Sequence, residues 1–289
     1  MIEVSTIRDI RVLLAEERRV GKSIGFVPTM GFFHEGHLTL MRKARESCDV
    51  LVVSSFVNPS QFGPSEDCLN YPRDEKRDSA LAAAEGVDYL FKPGAEEMYP
   101  TGYSTFVDVV GLSEGLCGRF RPGHFRGVAT IVAKLFNIVR PDVAFFGRKD
   151  YQQLKVIERM VKDLDFGIEI RAIDTVREPD GLAMSSRNSY LSPEERVAAG
   201  SLSRALREAV RLVEAGERQS EAIADAVKGI LGIEPLVNLE YVEVCDPETL
   251  SPIEEIDSEA LVALAARVGK ARLIDNEIVR PAEERGGIE

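Results

Sequence analysis

Two of the three histidines in this 289-residue chain stand three positions apart, in Pro28-Thr29-Met30-Gly31-Phe32-Phe33-His34-Glu35-Gly36-His37. An apolar run precedes this segment and helically spaced residues follow it, so it reads as a strand-to-helix loop. Gly31 and Gly36 allow backbone to approach a ligand closely, and the new helix N-terminus offers unpaired N–H groups and a favourable dipole to phosphate. His34 and His37 add side-chain donors suited to a phosphate on which negative charge builds. Ordinary loop and cap hydrogen bonds are the competing assignment. A metal pair is disfavoured, because no third ligand lies nearby and the helix carries no HExxH.

Three further segments carry similar chemistry. In Gly147-Arg148-Lys149-Asp150, again at a strand-to-helix junction, Lys149 suits a point-charge contact to phosphate, and Asp150 suits either a helix cap or a ribose hydroxyl. One of Gln152 and Gln153 is placed to face the same crevice. Met184-Ser185-Ser186-Arg187-Asn188 supplies two hydroxyls and a guanidinium, a clamp for a polyphosphate on a movable loop or simply a Ser-rich turn. Asn58 and Gln61, in Phe56-Val57-Asn58-Pro59-Ser60-Gln61-Phe62, are neutral amides among apolar residues, suited to a small polar organic substrate. Arg119, Arg121, Arg126 and His124 gather in one loop, suited to anions or to solvent.

The elements that must position these residues alternate. Strands are expected at Ser23 to Pro28, Asp49 to Val57, Asp88 to Phe91, Thr105 to Val109, Val143 to Phe146 and Ile168 to Ile173, with helices at His37 to Ser47, Asp74 to Glu85, Gly127 to Val139 and Asp150 to Lys162. The run DVLVVSSFV lacks alternation, as a parallel strand covered on both faces does. The fold class is therefore α/β, a doubly wound and mostly parallel sheet, over residues 1–177. After Glu178-Pro179-Asp180-Gly181 the texture changes. Ser192-Pro193-Glu194-Glu195 is a capping-box helix start. Helices at Pro193 to Ala215 and Ser220 to Leu231 precede strands at Leu239 to Cys245, Ala260 to Val268 and Ala271 to Asn276, giving a smaller α+β domain over 178–289. Pro281 to Glu289 reads as a loose polar tail.

Composition narrows the function classes. With 36 Lys+Arg against 48 Asp+Glu the formal charge is −12, which argues against a protein that grips nucleic acid through phosphate neutralisation. A local basic cluster can still take a small anion. No apolar run reaches the roughly 20 residues of a membrane span. Met1 to Val20 mixes both charge signs, unlike a secretory leader, and four scattered cysteines without a CxxC pair read as reduced thiols. A cytoplasmic location is expected.

Taken together, VPTMGFFHEGH (Val27 to His37), FVNPSQF (Phe56 to Phe62), RPGHFRGV (Arg121 to Val128), FGRKDYQQ (Phe146 to Gln153), REPDGLAMSSRNSYLS (Arg177 to Ser192) and ARLIDN (Ala271 to Asn276) resemble the pantoate–β-alanine ligase family of the HIGH-motif nucleotidyltransferases. The blocks are in the family's order and cover nearly the whole chain. The resemblance implies a Rossmann-type ATP domain, a smaller C-terminal lid domain and a homodimer. It implies condensation of (R)-pantoate with β-alanine to pantothenate, driven by ATP with Mg²⁺, through an enzyme-bound pantoyl adenylate. By resemblance, Met30, Gly31, Phe32, Phe33, His34, Glu35, Gly36 and His37 contact ATP, with His37 as catalytic acid or phosphate donor and His34 assisting. Gly147, Arg148, Lys149 and Asp150 bind ATP, Lys149 at the phosphates and Asp150 at the ribose. Val176 reads adenine through its backbone, and Met184, Ser185, Ser186 and Arg187 close on the phosphates. Gln61, with Asn58 nearby, holds pantoate and β-alanine, and Gln153 binds pantoate.

Three other functions fit parts of the pattern. A coenzyme adenylyltransferase would need a phosphorylated co-substrate, which the amides Asn58 and Gln61 suit poorly. An aminoacyl-tRNA synthetase would need a further RNA-binding domain. A silent nucleotide sensor would have no use for His34, His37, Lys149 and Arg187 together.

Overall fold

A computed structural model describes residues 1–64 and 66–281; the tail expectation thus falls almost wholly outside the described residues. The chain divides into two compact units, Met1–Glu114 with Arg121–Val176, and Gly115–Phe120 with Arg177–Glu289.

In the first unit, β1 (Ile2–Val4), α1 (Ile7–Arg19), β2 (Ile24–Thr29), α2 (Glu35–Ser47), β3 (Val50–Ser55), α3 (Glu75–Ala84), β4 (Tyr89–Phe91) and α4 (Ala95–Met98) follow one another. In the second unit's excursion, α5 spans Leu116–Phe120; the first unit then resumes with α6 (His124–Val139), β5 (Val143–Gly147), α7 (Tyr151–Asp163) and β6 (Glu169–Ile173). Among the described residues the six strands pair in the order β1-β4-β3-β2-β5-β6, all parallel. The expected doubly wound sheet is present. β1 and α1 were not anticipated, and Thr105 to Val109 forms no strand: the Val107 N–H donates to Thr130 Oγ1 on α6 (2.9 Å), a side-chain bond in place of a ladder.

Apolar residues cover both faces. Val27, Leu51, Val53, Val143 and Phe145 pack with Phe33, Leu38, Met41 and Ala44 of the α2 side. On the opposite face Phe26 and Phe146 each meet the Phe136 ring of α6 edge-on, at 6.4 and 6.3 Å. That double burial is why β2 and β3 show no alternation in sequence.

The second unit continues with α8 (Pro193–Glu214), α9 (Ser220–Gly232), β7 (Val237–Cys245), β8 (Ala260–Val268) and β9 (Ala271–Val279), the strands forming an antiparallel sheet β7-β8-β9. The Ser192 capping box forms, its hydroxyl accepting from Glu195 N (3.2 Å) while Glu195 Oε2 accepts from Ser192 N (2.9 Å). Ala260, Val262, Leu264, Ala266 and Val268 share a core with Leu202, Leu206, Val213 and Val227 of α8 and α9. α5 meets β7, where Phe120 stacks on Tyr241 at 5.5 Å.

The central strand β2 carries a proline, and its direction matters. The Asp142 N–H donates to Ile24 O, whereas Val50 and Phe56 donate to Ser23 O and Thr29 O. Even-numbered residues of β2 thus turn their backbone groups to β5 and odd-numbered ones to β3. Pro28 is even, so the donor it lacks is one that β5 would have used. Pairing of β2 with β3 runs through Thr29↔Ser55, but pairing with β5 stops at Phe26↔Ala144, while β5 continues with β6 to Gly147↔Ile173. The sheet therefore parts between the C-terminal ends of β2 and β5. Pro28→Ala is expected to extend the β2–β5 ladder by one bond. Hydrogen exchange at the new amide should be slow, and an amide exchanging as fast as an open loop would contradict the assignment.

Candidate active site

The place where the sheet parts is also where its strand order reverses, since β3 lies on one side of β2 and β5 on the other. In open α/β sheets this switch point is where ligands bind. The histidine loop leaves β2 there, and Gly147–Asp150 leaves β5.

The histidine loop is tied down largely by its own backbone. Thr29 Oγ1 accepts from Gly31 N (3.1 Å) and donates to Ser54 O (2.7 Å). Gly31 has φ +83° and Phe32 φ +53°. A Cβ on Gly31 would stand 2.7 Å from Ser55 Oγ and 3.1 Å from Asp78 Oδ2, so the position needs glycine for space as well as for conformation. Phe32 N and Phe33 N donate to the two oxygens of Asp78, at 2.6 and 2.7 Å. Asp78 is buried in α3; burial raises its carboxyl above the usual aspartate value, and the two N–H donors work against that rise.

His34 is the N-cap of α2. Its Nδ1 accepts from Gly36 N (3.2 Å), and the His34 N–H donates to His37 Nδ1 (3.3 Å). Much of the helix N-terminus expected to be open to phosphate is therefore internally satisfied, a correction to the sequence reading. The same bonds fix the rings. A backbone N–H can only donate, so both Nδ1 atoms are acceptors, and a neutral ring then carries its proton on Nε2. The two rings lie 4.0 Å apart, and Phe33 meets His37 edge-on at 5.7 Å. Burial, then His34 and Lys149, hold the His37 pKa well below the usual histidine value. His37 is thus a neutral Nε2–H donor. The Glu35 carboxylate pairs with Arg42 along the exposed face of α2. Phe33 is fully buried, so its part in the loop is packing.

On the β5 side, Arg148–Asp150 is a single 3₁₀ turn. Asp150 occupies the N-cap of α7 but makes no capping bond with its side chain, and Lys149 Nζ lies 3.6 Å from its Oδ2. The cap alternative is thereby removed. Arg148 turns to Asp174 (3.2 Å). The two glutamines separate: Gln152 is buried and donates to Leu112 O (2.9 Å), whereas Gln153 is partly exposed. Val176 closes the first unit, partly buried.

The amide pair is ordered by backbone. Asn58 Nδ2 donates to Gly127 O (3.1 Å), and Asn58 Oδ1 accepts from Ser60 N (3.3 Å), which fixes its orientation. Asn58 Nδ2 also donates to Gln61 Oε1 (2.9 Å), so Gln61 is oriented in turn, with Nε2 donating to Met30 Sδ (3.2 Å). Ser60 Oγ and the Tyr99 hydroxyl donate to Asn58 Oδ1 at 2.9 and 2.8 Å. Asn58, 1% exposed, is consumed by these contacts and orients Gln61. The Gln61 amide nitrogen has a second N–H to offer an acceptor.

The arginine-rich loop separates into three fates. Arg121 grips Glu66 with two bonds of 2.6 Å. Burial opposes the Glu66 charge, but the guanidinium outweighs it and holds the carboxyl at about 2. His124 Nδ1 lies 2.8 Å from Gln61 O, a carbonyl that can only accept, so Nδ1 carries the proton and Nε2 accepts from Arg121 Nη1 (3.0 Å). Arg119 pairs with Glu243 at 2.9 Å within the second unit, and Arg126 stands 4.3 Å over the Phe106 ring. Each arginine thus has a different partner.

Within the second unit, Ser185 Oγ accepts from Arg187 N (3.2 Å) and so caps the 3₁₀ turn Ser186–Tyr190. Ser186 is buried, while Met184 and Arg187 are partly buried. Arg177 holds Asp275 with bonds of 2.7 and 3.1 Å, and Asn188 Nδ2 donates to Glu178 Oε1 (2.6 Å).

A parallel sheet that parts at its switch point, with an HxGH loop on one loose end and a lysine on the other, defines a nucleotide-binding α/β protein of the HxGH class. The family model for pantoate–β-alanine ligase matches residues 3–278. A pantothenate synthetase of Heliobacterium modesticaldum is 58% identical over 276 residues, 96% of this chain and 98% of that protein. One from Pelotomaculum thermopropionicum is 55% identical over 96% of this chain and 99% of its own length. The crystal structure of pantothenate synthetase from Thermus thermophilus superposes with TM-score 0.93 at 48% identity, covering 97% of this chain and all of that one. A Francisella tularensis pantoate–β-alanine ligase, complexed with β,γ-ATP and β-alanine, has TM-score 0.79 at 32% identity, covering 96% of this chain and 97% of that one. The chain belongs to the pantoate–β-alanine ligase family.

Asp78, Tyr99, Glu66 and the exclusive burial of Asn58 were not read from sequence. Asp78 meets its partners 45 and 46 positions away, and no local pattern announces that. Gly127 sits inside a quoted block, yet its role is steric: a Cβ there would stand 2.3 Å from Ser60 O and 2.7 Å from Gln61 Cα.

This geometry makes two variants informative. Gly127→Ala should push the Pro59–Gln61 turn away and cost about 1–3 kcal/mol, measurable by urea unfolding; no loss would mean the turn yields freely. Burial and then the Arg121 charge bring the His124 pKa down to about 3, below the unfolded value of about 6.5. The unfolded chain therefore binds the extra proton first. The stabilisation from neutral His124 is complete above pH about 6.5 and is lost as pH falls towards 3. Unfolding midpoints of His124→Asn, whose amide retains a donor for Gln61 O, should decline less over that window than those of the parent protein.

Proposed function

We propose that this enzyme joins (R)-pantoate to β-alanine in two steps at the parted sheet, and that the residues described above divide the work. The first step adenylates the pantoate carboxylate. A carboxylate oxygen attacks the α-phosphorus of ATP, the bond to the β-phosphate oxygen breaks, and pyrophosphate leaves with that electron pair. The β-alanine amine then attacks the acyl carbon of pantoyl adenylate. AMP leaves, the amine gives up a proton to solvent, and pantothenate remains. A bare carboxylate is a poor acyl donor, and the mixed anhydride supplies the leaving group it lacks.

One observation carries the assignment of roles: both Nδ1 atoms of His34 and His37 are occupied by backbone N–H donors. Each neutral ring then offers an Nε2–H. His37 is the donor to the phosphate on which charge accumulates during adenylation, with His34 assisting and Lys149 supplying the fixed positive charge. This refines the expectation of a catalytic acid, since a ring whose Nδ1 accepts a backbone N–H carries one proton, on Nε2. Met30, Gly31 and Phe32 line the ATP side of the loop, with Gly36 giving close approach. Gly147, Arg148 and Asp150 hold the nucleotide from the β5 side, Asp150 at the ribose, and Val176 reads adenine through its backbone. Gln61 donates to pantoate and β-alanine, Asn58 sets its orientation, and Gln153 binds pantoate.

Met184, Ser185, Ser186 and Arg187 are assigned to the phosphates, on a second unit acting as a lid. A closing lid suits this chemistry because the anhydride hydrolyses in water. Among the described residues no group of three or more His, Cys, Asp or Glu is placed to hold a metal ion. Mg²⁺ is proposed to accompany ATP, where it would offset phosphate charge. No described helix is long and apolar enough to cross a membrane. A cytoplasmic homodimer completes the reading.

Omitting each substrate in turn tests the scheme: pyrophosphate exchange into ATP should need pantoate alone, and AMP release both pantoate and β-alanine. His37→Ala should slow exchange by about a hundredfold or more while ATP affinity, measured by calorimetry, changes by less than about tenfold. Equal loss of rate and affinity would remove the transition-state role.

A further inference from the structure

Among the buried ionisable groups that take no part in the scheme above, one touches the histidine loop's backbone twice. Asp78 lies on α3 and is 3% exposed, yet its carboxylate is spent on two consecutive backbone N–H groups of the histidine loop, at 2.6 and 2.7 Å. The preceding residue on the same helix holds the loop from the other side. Arg77 Nη1 donates to Phe33 O (2.8 Å), and its guanidinium stands 5.7 Å over the Phe32 ring. The Phe33 residue is thus gripped at its N–H by Asp78 and at its C=O by Arg77. This grip falls on the part of the loop where Gly31 and Phe32 both have positive φ, a conformation that costs a non-glycine residue about 1 kcal/mol or more. One residue further on, the His34 N–H sets the His37 tautomer.

We propose that Asp78 is a positioning residue for adenylation: through Phe32 N and Phe33 N it fixes the loop so that His34 N–H meets His37 Nδ1 and the His37 proton stays on Nε2. The proposal rests on the role given to His37. Charge-assisted bonds to backbone N–H groups are short and strong, which suits a carboxylate to holding a strained turn. An amide in its place has one acceptor oxygen and an NH₂ group, so Asp78→Asn must leave one of the two N–H groups facing a donor. The near-identical shape favours folding. The chain has only three histidines, so ring nitrogen spectra are simple to assign.

Four measurements test it. Ring ¹⁵N spectra of the full chain should show Nε2–H tautomers for His34 and His37 and an Nδ1–H tautomer for His124. In Asp78→Asn the His37 pattern should shift towards a tautomer mixture while that of His124 stays. Pyrophosphate exchange should fall about tenfold to a hundredfold, as expected when a catalytic donor is misplaced by about an ångström. KM for ATP, and the rate at which supplied pantoyl adenylate is consumed by β-alanine, should each change less than about threefold. Arg77→Gln, which loosens the same residue without placing a donor against Phe32 N or Phe33 N, should give the same pattern more weakly. An unshifted His37 tautomer, or an equal loss in both half-reactions, overturns the positioning role. If His37→Ala leaves exchange intact, the assignment of His37 fails instead, and the Asp78 tautomer readout still reports whether the loop is set as described.

Discussion

A donor missing by covalent structure cannot be restored by rearrangement, and Pro28 puts that deficit on the β5 side of the central strand. A parallel sheet held by evenly spaced bonds parts most readily where its ladder has already lost a donor. Here that point coincides with the reversal of strand order, so the two strands that diverge are the two followed by the loops of His34, His37 and Lys149. Phe26 and Phe146 both pack on the Phe136 ring of α6, so one face of the sheet is covered where β2 and β5 diverge.

Most backbone N–H groups of the histidine loop are taken up by nearby side chains. Gly31 N goes to Thr29, Phe32 and Phe33 N to Asp78, Gly36 N to His34, and His34 N to His37. On the proposed reading, the two imidazole rings supply donors on the β2 side, and Lys149 with Arg148 supplies positive charge on the β5 side. Local charge of that kind is compatible with a chain of net charge −12. The amide pair follows the same logic, since two backbone groups orient Asn58 and Asn58 orients Gln61.

How much of this could be read in advance depended on the range of the interaction. The β2 and β3 runs, the Ser192 capping box and the strand–loop–helix setting of His34 and His37 rest on neighbours in sequence, and they were legible. β1 and α1 were not, because α1 buries only Ile10 and Leu14 and its charged face hides the period. Thr105 to Val109 has strand composition but bonds to a side chain on α6. Helix direction separated Gln152 from Gln153, a choice that composition leaves even. The three arginines looked like one patch because they are adjacent in sequence; their partners, Glu66, Glu243 and the Phe106 ring, are far from them along the chain. Asp78 is the limiting case, an ordinary acidic helix residue until the loop it holds is in view.

The short helix α5 has a consequence for the history of the chain. Gly115–Phe120 belongs to the second unit, although the residues on either side of it belong to the first. The chain therefore passes between units three times, and the second unit is not a C-terminal cassette that one recombination event could append, remove or exchange. A gene fragment beginning at Arg177 would encode both helices and all three strands but would leave Tyr241 without Phe120 and Arg272 without Cys117. A fragment ending at Val176 would carry α5 with no sheet to lie on. The two units are interleaved in the gene, and selection must act on them as one inheritance.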